Sequence, residues 1–181
     1  MAKTKSKKSK SATRTPQPLL GALAGIVAGL VASAAMEAFQ NAAGKAADAG
    51  KSDAEKRKDA AEQDDPATVK AADKAVQLVT GDDLPEPYRA PAGRAVHYVT
   101  GALLGAIYGV ITEYKPAAAS GFGGAYGFAT SLVLDEGAVP AAGLAKPPTE
   151  TPLASHGFGL ASHMVYGVAL EGMRAILGGR R

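Results

Sequence analysis

His97, His156 and His163 are the only histidines of a 181-residue chain that has no cysteine. Each lies in or beside an apolar stretch, where an ionisable side chain is expensive and calls for a functional explanation. Glu37, Asp135 and Glu136 occupy comparable positions. Imidazole together with carboxylate can ligate zinc or iron, and it can also pass protons near neutral pH. His156 and His163 are two helical turns apart, so they share a helix face with His163 about 10 Å deeper. No HExxH or comparably tight ligand spacing accompanies them, so a metal ligand set stays undefined and no cofactor is implied. Three uses stay open for the cluster of Glu37, His97, Asp135, Glu136, His156 and His163: contact with interfacial water, a proton or ion relay, and a metal site. Nucleophilic catalysis has little support, because Ser155-His156 and Ser162-His163 are sequence neighbours whose side chains diverge on a helix. Phosphate cradles of the Walker or Rossmann type are absent, and the expectation is a protein that is not an enzyme.

Four glycine-spaced apolar stretches must position these residues: Leu19 to Met36, Ala95 to Thr112, Ala117 to Leu134 and Leu153 to Leu177. About 18 residues at 1.5 Å rise make roughly 27 Å of helix, close to the ~30 Å hydrocarbon core. The expected fold is therefore all-α, a polytopic membrane bundle with transmembrane helices over about 19–40, 95–113, 117–134 and 153–177. A polar loop over 41–94 separates the first two helices. Alternating helix directions gather all six cluster residues at one membrane face, around a common vestibule with His163 at its floor.

A mean hydropathy of −0.02 and 20% charged residues resemble a soluble protein, but the charges sit almost wholly outside the four stretches. Residues 1–18 carry Lys3, Lys5, Lys7, Lys8, Lys10 and Arg14 and no acidic residue. This tail reads as a disordered topogenic segment held in the cytoplasm by the positive-inside rule, and the net charge of +3 is too small to argue for nucleic acid. Ala32-Ser33-Ala34 resembles a signal cleavage site, yet signal h-regions run ~7–15 residues and this stretch is longer. Lys115, Arg174, Arg180 and Arg181 fall on the same side as the tail. Loop 41–94 carries nine Lys/Arg among eleven Asp/Glu, and long loops translocate with less regard to charge. Both termini are thus expected in the cytoplasm and the long loop outside, with 178–181 a basic end.

Small residues recur every fourth position: Gly21, Gly25, Gly29, Ser33; Gly101, Gly105, Gly109; Ala119, Gly123, Gly127, Ser131; and Ser155, Gly159, His163, Gly167. In lipid, helices associate through close packing, and small residues let backbones approach. The ladders predict a tight bundle whose partners are the lipid bilayer and copies of itself. Within the loop, Ser52-Asp-Ala-Glu55 fits a capping box opening a polar helix to about Asp64. Asp65-Pro66 then starts an amphipathic helix on Val69, Ala72, Val76 and Val79 that Gly81 stops. Pro85, Pro87 and Pro91 read as an extended lead-in. Tyr114-Lys115-Pro116 reads as a tight link making the second and third membrane helices an antiparallel hairpin. Glu171 and Arg174 are placed to pair on the helix surface, and Glu113 sits beside Lys115.

The chain resembles the YagU-type family of bacterial inner-membrane proteins over approximately residues 19–175. The resemblance rests on Val96-His97-Tyr98 followed by Gly101-Ala-Leu and Tyr108-Gly. It rests also on Asp135-Glu136 followed by Val139-Pro140-Ala-Ala-Gly143-Leu and Pro147-Pro148, and on Ala161-Ser-His163 followed by Val165-Tyr166-Gly167. Pro66-Ala-Thr-Val-Lys70 matches more loosely. The resemblance implies a small multi-pass inner-membrane protein with no assigned reaction. The expected role is structural or accessory in the envelope, with a small transporter or ion pathway and a membrane metalloprotein as alternatives.

Overall fold

The computed structural model describes residues 15–62 and 64–179, so most of the lysine-rich tail and Arg180-Arg181 lie outside the described residues. Among the described residues the chain is all-helical, with no strand. The long helices are α1 (Pro18–Ala47), α4 (Glu86–Tyr114) and α7 (Leu153–Ile176). Two short helices, α2 (Asp53–Glu62) and α3 (Ala67–Thr80), lie between α1 and α4. The third apolar stretch folds as α5 (Gly124–Val133), a π turn over Leu134–Ala138, and α6 (Val139–Ala141).

Local signals account for several of these boundaries. The Ser52 amide donates to Glu55 Oε2 at 2.7 Å and the Glu55 amide to Ser52 Oγ at 3.3 Å, so the capping box opens α2. Gly81 ends α3 in the left-handed region, at φ 81°, with its amide on the Gln77 carbonyl. The proline-rich lead-in, by contrast, is helical: α4 starts at Glu86 and takes in both Pro87 and Pro91. Pro87 falls in the first turn, where a missing N–H costs nothing, and the bond Pro91 forgoes would also have reached back into that turn.

The ladders pair off within the chain. Gly21, Gly25 and Gly29 on α1 face Gly109, Gly105 and Gly101 on α4, in antiparallel register. A Cβ on Gly21 would stand 2.6 Å from the Gly109 carbonyl oxygen, and one on Gly105 would stand 2.8 Å from the Gly29 Cα. A second antiparallel pair joins Gly123 and Gly127 to Gly167 and the backbone of His163, binding α5 to α7. Helix α7 then packs on α1, where Ala28, Ala32, Met36, Tyr166 and Leu170 form the core and Phe39 stacks on Phe158 at 6.1 Å.

The third helix departs from expectation in start and partner. A 3-10 turn occupies Pro116–Ala119, and beyond it Gly121, Phe122 and Gly123 have φ of 62°, 54° and 83°. Three successive left-handed residues stop any helix, so α5 begins at Gly124 instead of 117. This longer turn carries α5 across to α7, and the hairpin expected with α4 is replaced by tyrosine bridges. Tyr126 donates to the Leu104 carbonyl at 2.7 Å, Tyr166 to that of Gly101 at 2.6 Å, and the rings of Tyr108 and Tyr126 lie 4.6 Å apart. Glycine closes the helix pairs, and tyrosine spans the wider gap between them.

Helix α3 is tied to the start of α4. Asp73 accepts the Leu84 amide at 2.8 Å and Arg89 Nη1 at 3.1 Å, while Arg89 Nη2 also reaches Asp65 at 2.6 Å. The Leu84 amide above all, and then Arg89, holds the Asp73 carboxyl below its ordinary value. A carboxyl depressed in this way stabilises the fold above the usual carboxylate range, ~3.9, and the contribution disappears as pH falls through the lowered value. Amide exchange in α3 should therefore accelerate on acidification to about pH 2 before that of the α1 ladder, and Asp73→Asn should loosen α3 at neutral pH. Equal protection of α3 and α1 at low pH would refute the clamp.

Replacing Gly105 or Gly127 with Leu should destabilise the protein by ~1–3 kcal/mol or more, because the added atoms meet a neighbouring helix backbone that has no room to move. Gly157 is the control, since a Cβ there meets nothing within 4 Å. Gly157→Ala should be neutral or stabilising by about 0.5–1 kcal/mol in thermal unfolding in detergent.

Candidate functional site

The π turn decides how the cluster is assembled. A π turn carries one residue more than an α turn and rotates the residues beyond it, and such turns are frequent at functional sites. Here it presents two consecutive carboxylates to two histidines of α7. Asp135 Oδ1 lies 3.2 Å from His163 Nε2 and its Oδ2 accepts from Ser131 Oγ at 3.0 Å, one turn back on α5. Glu136 Oε1 lies 2.6 Å from His156 Nδ1, and His156 Nε2 is 3.1 Å from the Pro148 carbonyl. Both nitrogens of His156 thus face acceptors, and both are satisfied as donors only in the doubly protonated ring.

Across the bundle, Glu37 accepts from Tyr98 at 2.8 Å and pairs with Arg94 at 3.0 Å. His97 Nε2 lies 3.2 Å from the Ser33 carbonyl. All six expected residues sit at the bundle end away from Pro18, Tyr114 and Ile176, but they do not form one group. A cavity of about 690 Å³ is lined by Glu37, His97, Asp135 and His163, with Ser33, Leu104 and Tyr166 in the same wall. Glu136 and His156 are not part of that wall and form a separate pair.

The rest of the wall comes from elements whose role the sequence does not announce. Residues Ala67–Val69 of α3 and Ala138, Val139 and Leu144 at and beyond the end of the π turn close its sides. Lys74 on α3 donates to the Ala142 carbonyl at 2.7 Å, linking these two walls. Val69 sits directly on Gly93, where no side chain separates α3 from α4. Arg94 and Tyr98 are the partners of Glu37 that sequence reasoning missed. Their positions three and one residues from His97, turned by α4 toward α1, are the only signal that could have marked them. Among the described residues no three His, Asp or Glu side chains converge as a metal ligand set.

At the other end of the bundle, Glu171 and Arg174 do pair, but in the interior instead of on the surface. Arg174 Nε and Nη2 donate to the two carboxylate oxygens at 2.7 and 2.8 Å, and the two residues are 1% and 3% exposed for Arg174 and Glu171 respectively. Tyr108 donates to Glu171 Oε2 at 2.8 Å, and its ring lies 5.9 Å from the Arg174 guanidinium carbon. Glu113, expected beside Lys115 at the interface, is buried and accepts the Gln17 amide at 2.9 Å, so a carboxylate from α4 caps the start of α1. Comparisons with known protein families, with curated proteins and with solved structures return no match.

Removing one member of a buried charge pair leaves the other uncompensated. Arg174→Met should cost about 3–5 kcal/mol, and Arg174→Met with Glu171→Leu together should cost much less than either change alone. Additive losses in the double variant, read as detergent thermal stability, would show that the two charges act independently.

Proposed function

We propose that this chain is a non-enzymatic, multi-pass protein of a bacterial inner membrane, with α1, α4, the α5–α6 segment and α7 all crossing and both termini in the cytoplasm. It serves as a structural or accessory component of the envelope, in keeping with its resemblance to the YagU-type family. The observation that carries this reading is the inverted distribution of polarity. Val27, Leu103, Leu132 and Val168, one on each of the four crossing elements, are exposed together with many other large apolar side chains. Ser33, Thr112, Ser131, Ser162, Glu171 and Arg174 are buried. Water would penalise so much exposed apolar surface, whereas lipid accepts it and leaves polar groups to find partners inside.

Among the described residues two helices meet the length and hydropathy of a membrane span unaided, α1 and α4, with windows of mean hydropathy 2.2 and 1.5. The segment from Gly124 to Ala141 is helical throughout and about 25 Å long, and α7 exceeds 30 Å by the same rise, roughly. An accessory role is favoured over a conduit by where the cavity stops. It ends against Leu104, His163 and Tyr166, and the interior beyond is filled by Ala28, Tyr108, Leu170 and the ladder glycines.

The chain's lack of cysteine makes single-cysteine mapping direct. Ala60→Cys should react with a membrane-impermeant maleimide on intact spheroplasts, and Lys115→Cys only after permeabilisation. Labelling of Lys115→Cys from outside, or release of the protein by alkaline carbonate, would refute the topology or the membrane assignment respectively.

A further inference from the structure

The cavity at the loop end has a composition that selects a ligand. Its apolar walls are Met36, Val96, Leu104, Leu134, Val139 and Leu144, and its volume of about 690 Å³ falls within the ~300–1,000 Å³ of small-molecule sites. The ionisable groups in the wall are Glu37, Arg94, His97, Asp135 and His163. Arg94 lies 3.0 Å from Glu37 and compensates it. Among the described residues Asp135 has Ser131 and His163 as hydrogen-bond partners and no lysine or arginine in ion-pair contact, so with the imidazoles neutral its charge in the wall has no paired cation.

His163 lines the same wall and braces Asp135. It is 8% exposed, and its Nδ1 is buried with no hydrogen-bond partner. Because Asp135 is a carboxylate acceptor, Nε2 carries the proton in that pair, and the neutral ring is left with an acceptor lone pair on Nδ1. The negative charge of Asp135, braced by the His163 ring at the floor, calls for a cation that donates hydrogen bonds. An ammonium has three donors and no acceptor, and a carboxylate meeting it in a low-dielectric pocket forms a charge-assisted bond.

We propose that this cavity is a binding site for a small amphipathic amine, its ammonium held at the floor by Asp135 beside His163 and its apolar body against the side walls. Nothing in the proposal depends on the membrane topology or on the absence of catalysis, since it rests on the cavity alone. Asp135 and Glu136 are adjacent in sequence yet only Asp135 lines the cavity, which provides an internal control.

The test is calorimetric titration of the full chain in a non-ionic detergent, with protein-free micelles as the blank. The probes are 4-phenylbutylammonium, 4-phenylbutanol and 4-phenylbutyrate, which share an apolar body and differ in head group. The amine should bind saturably and at least about ten-fold more tightly than the alcohol or the carboxylate. Asp135→Asn should weaken the amine by about ten-fold or more and leave the alcohol unaffected, while Glu136→Gln should change neither. Equal affinity for the three head groups, no saturable binding of the amine, or full affinity in Asp135→Asn would each overturn the proposal. Should Asp135→Asn fail to fold, the head-group comparison on the unaltered protein decides the matter.

Discussion

The fold depends on how closely α1 approaches α4. At Gly21, Gly25 and Gly29 each backbone lies against the carbonyl oxygen of the opposite glycine, a distance that no Cβ would permit. Contact this close maximises dispersion between the touching backbones, the attraction that helices in the proposed lipid setting would depend on. That contact also sets the register on which the site is built. With Gly29 opposite Gly101, the next step along the ladder brings the Ser33 carbonyl beside His97, and Glu37 beside Arg94 and Tyr98.

The cavity opens at the last rung of the ladder, with Gly101 and Leu104 in its wall. Beyond Gly29 and Gly101 the ladder gives way to Ser33, Met36, Glu37, Val96 and His97, all of which line the cavity. The same logic separates the pairs at their centre, where Tyr108, Tyr126 and Tyr166 occupy the space between α4 and the α5–α7 pair. Two of them turn their hydroxyls onto α4 carbonyls, and Tyr108 turns its own onto Glu171. A carbonyl within a helix keeps a second lone pair free, so these bonds satisfy a buried phenol without breaking the helix.

Much of this is legible in residue spacing. The four-residue ladders, the Ser52–Glu55 box, the Gly81 stop and the gathering of His97, Asp135, His156 and His163 at one end are all consequences of periodicity and helix direction. Spacing describes one helix at a time, however, and is silent on which helix lies opposite. Hence it assigns α5 the wrong partner: the left-handed run through Gly121, Phe122 and Gly123 carries α5 to α7, and Phe122 is not a residue type that announces such a turn. Glu171 and Arg174 look like a surface pair for the same reason, since three-residue spacing fits either face until Tyr108 of α4 is seen to complete the group. The split of the cluster into four cavity residues and a separate Glu136–His156 pair depends on the π turn, which has no reliable sequence signature.

That π turn also divides the third helical segment into two parts with separate duties. Gly123 and Gly127 lie before it and hold α5 on α7, whereas Asp135, Ala138 and Val139 lie in it or just after it and line the cavity. Because the extra residue is absorbed inside a continuous helix, the second part is set at a rotation that an unbroken α-helix would not give it. The segment divides into a shaft that grips α7 and a head that shapes the cavity. The head's side chains shape the cavity wall without taking part in the glycine contacts by which the shaft grips α7, so the wall and the packing are encoded in separate stretches of one helical segment.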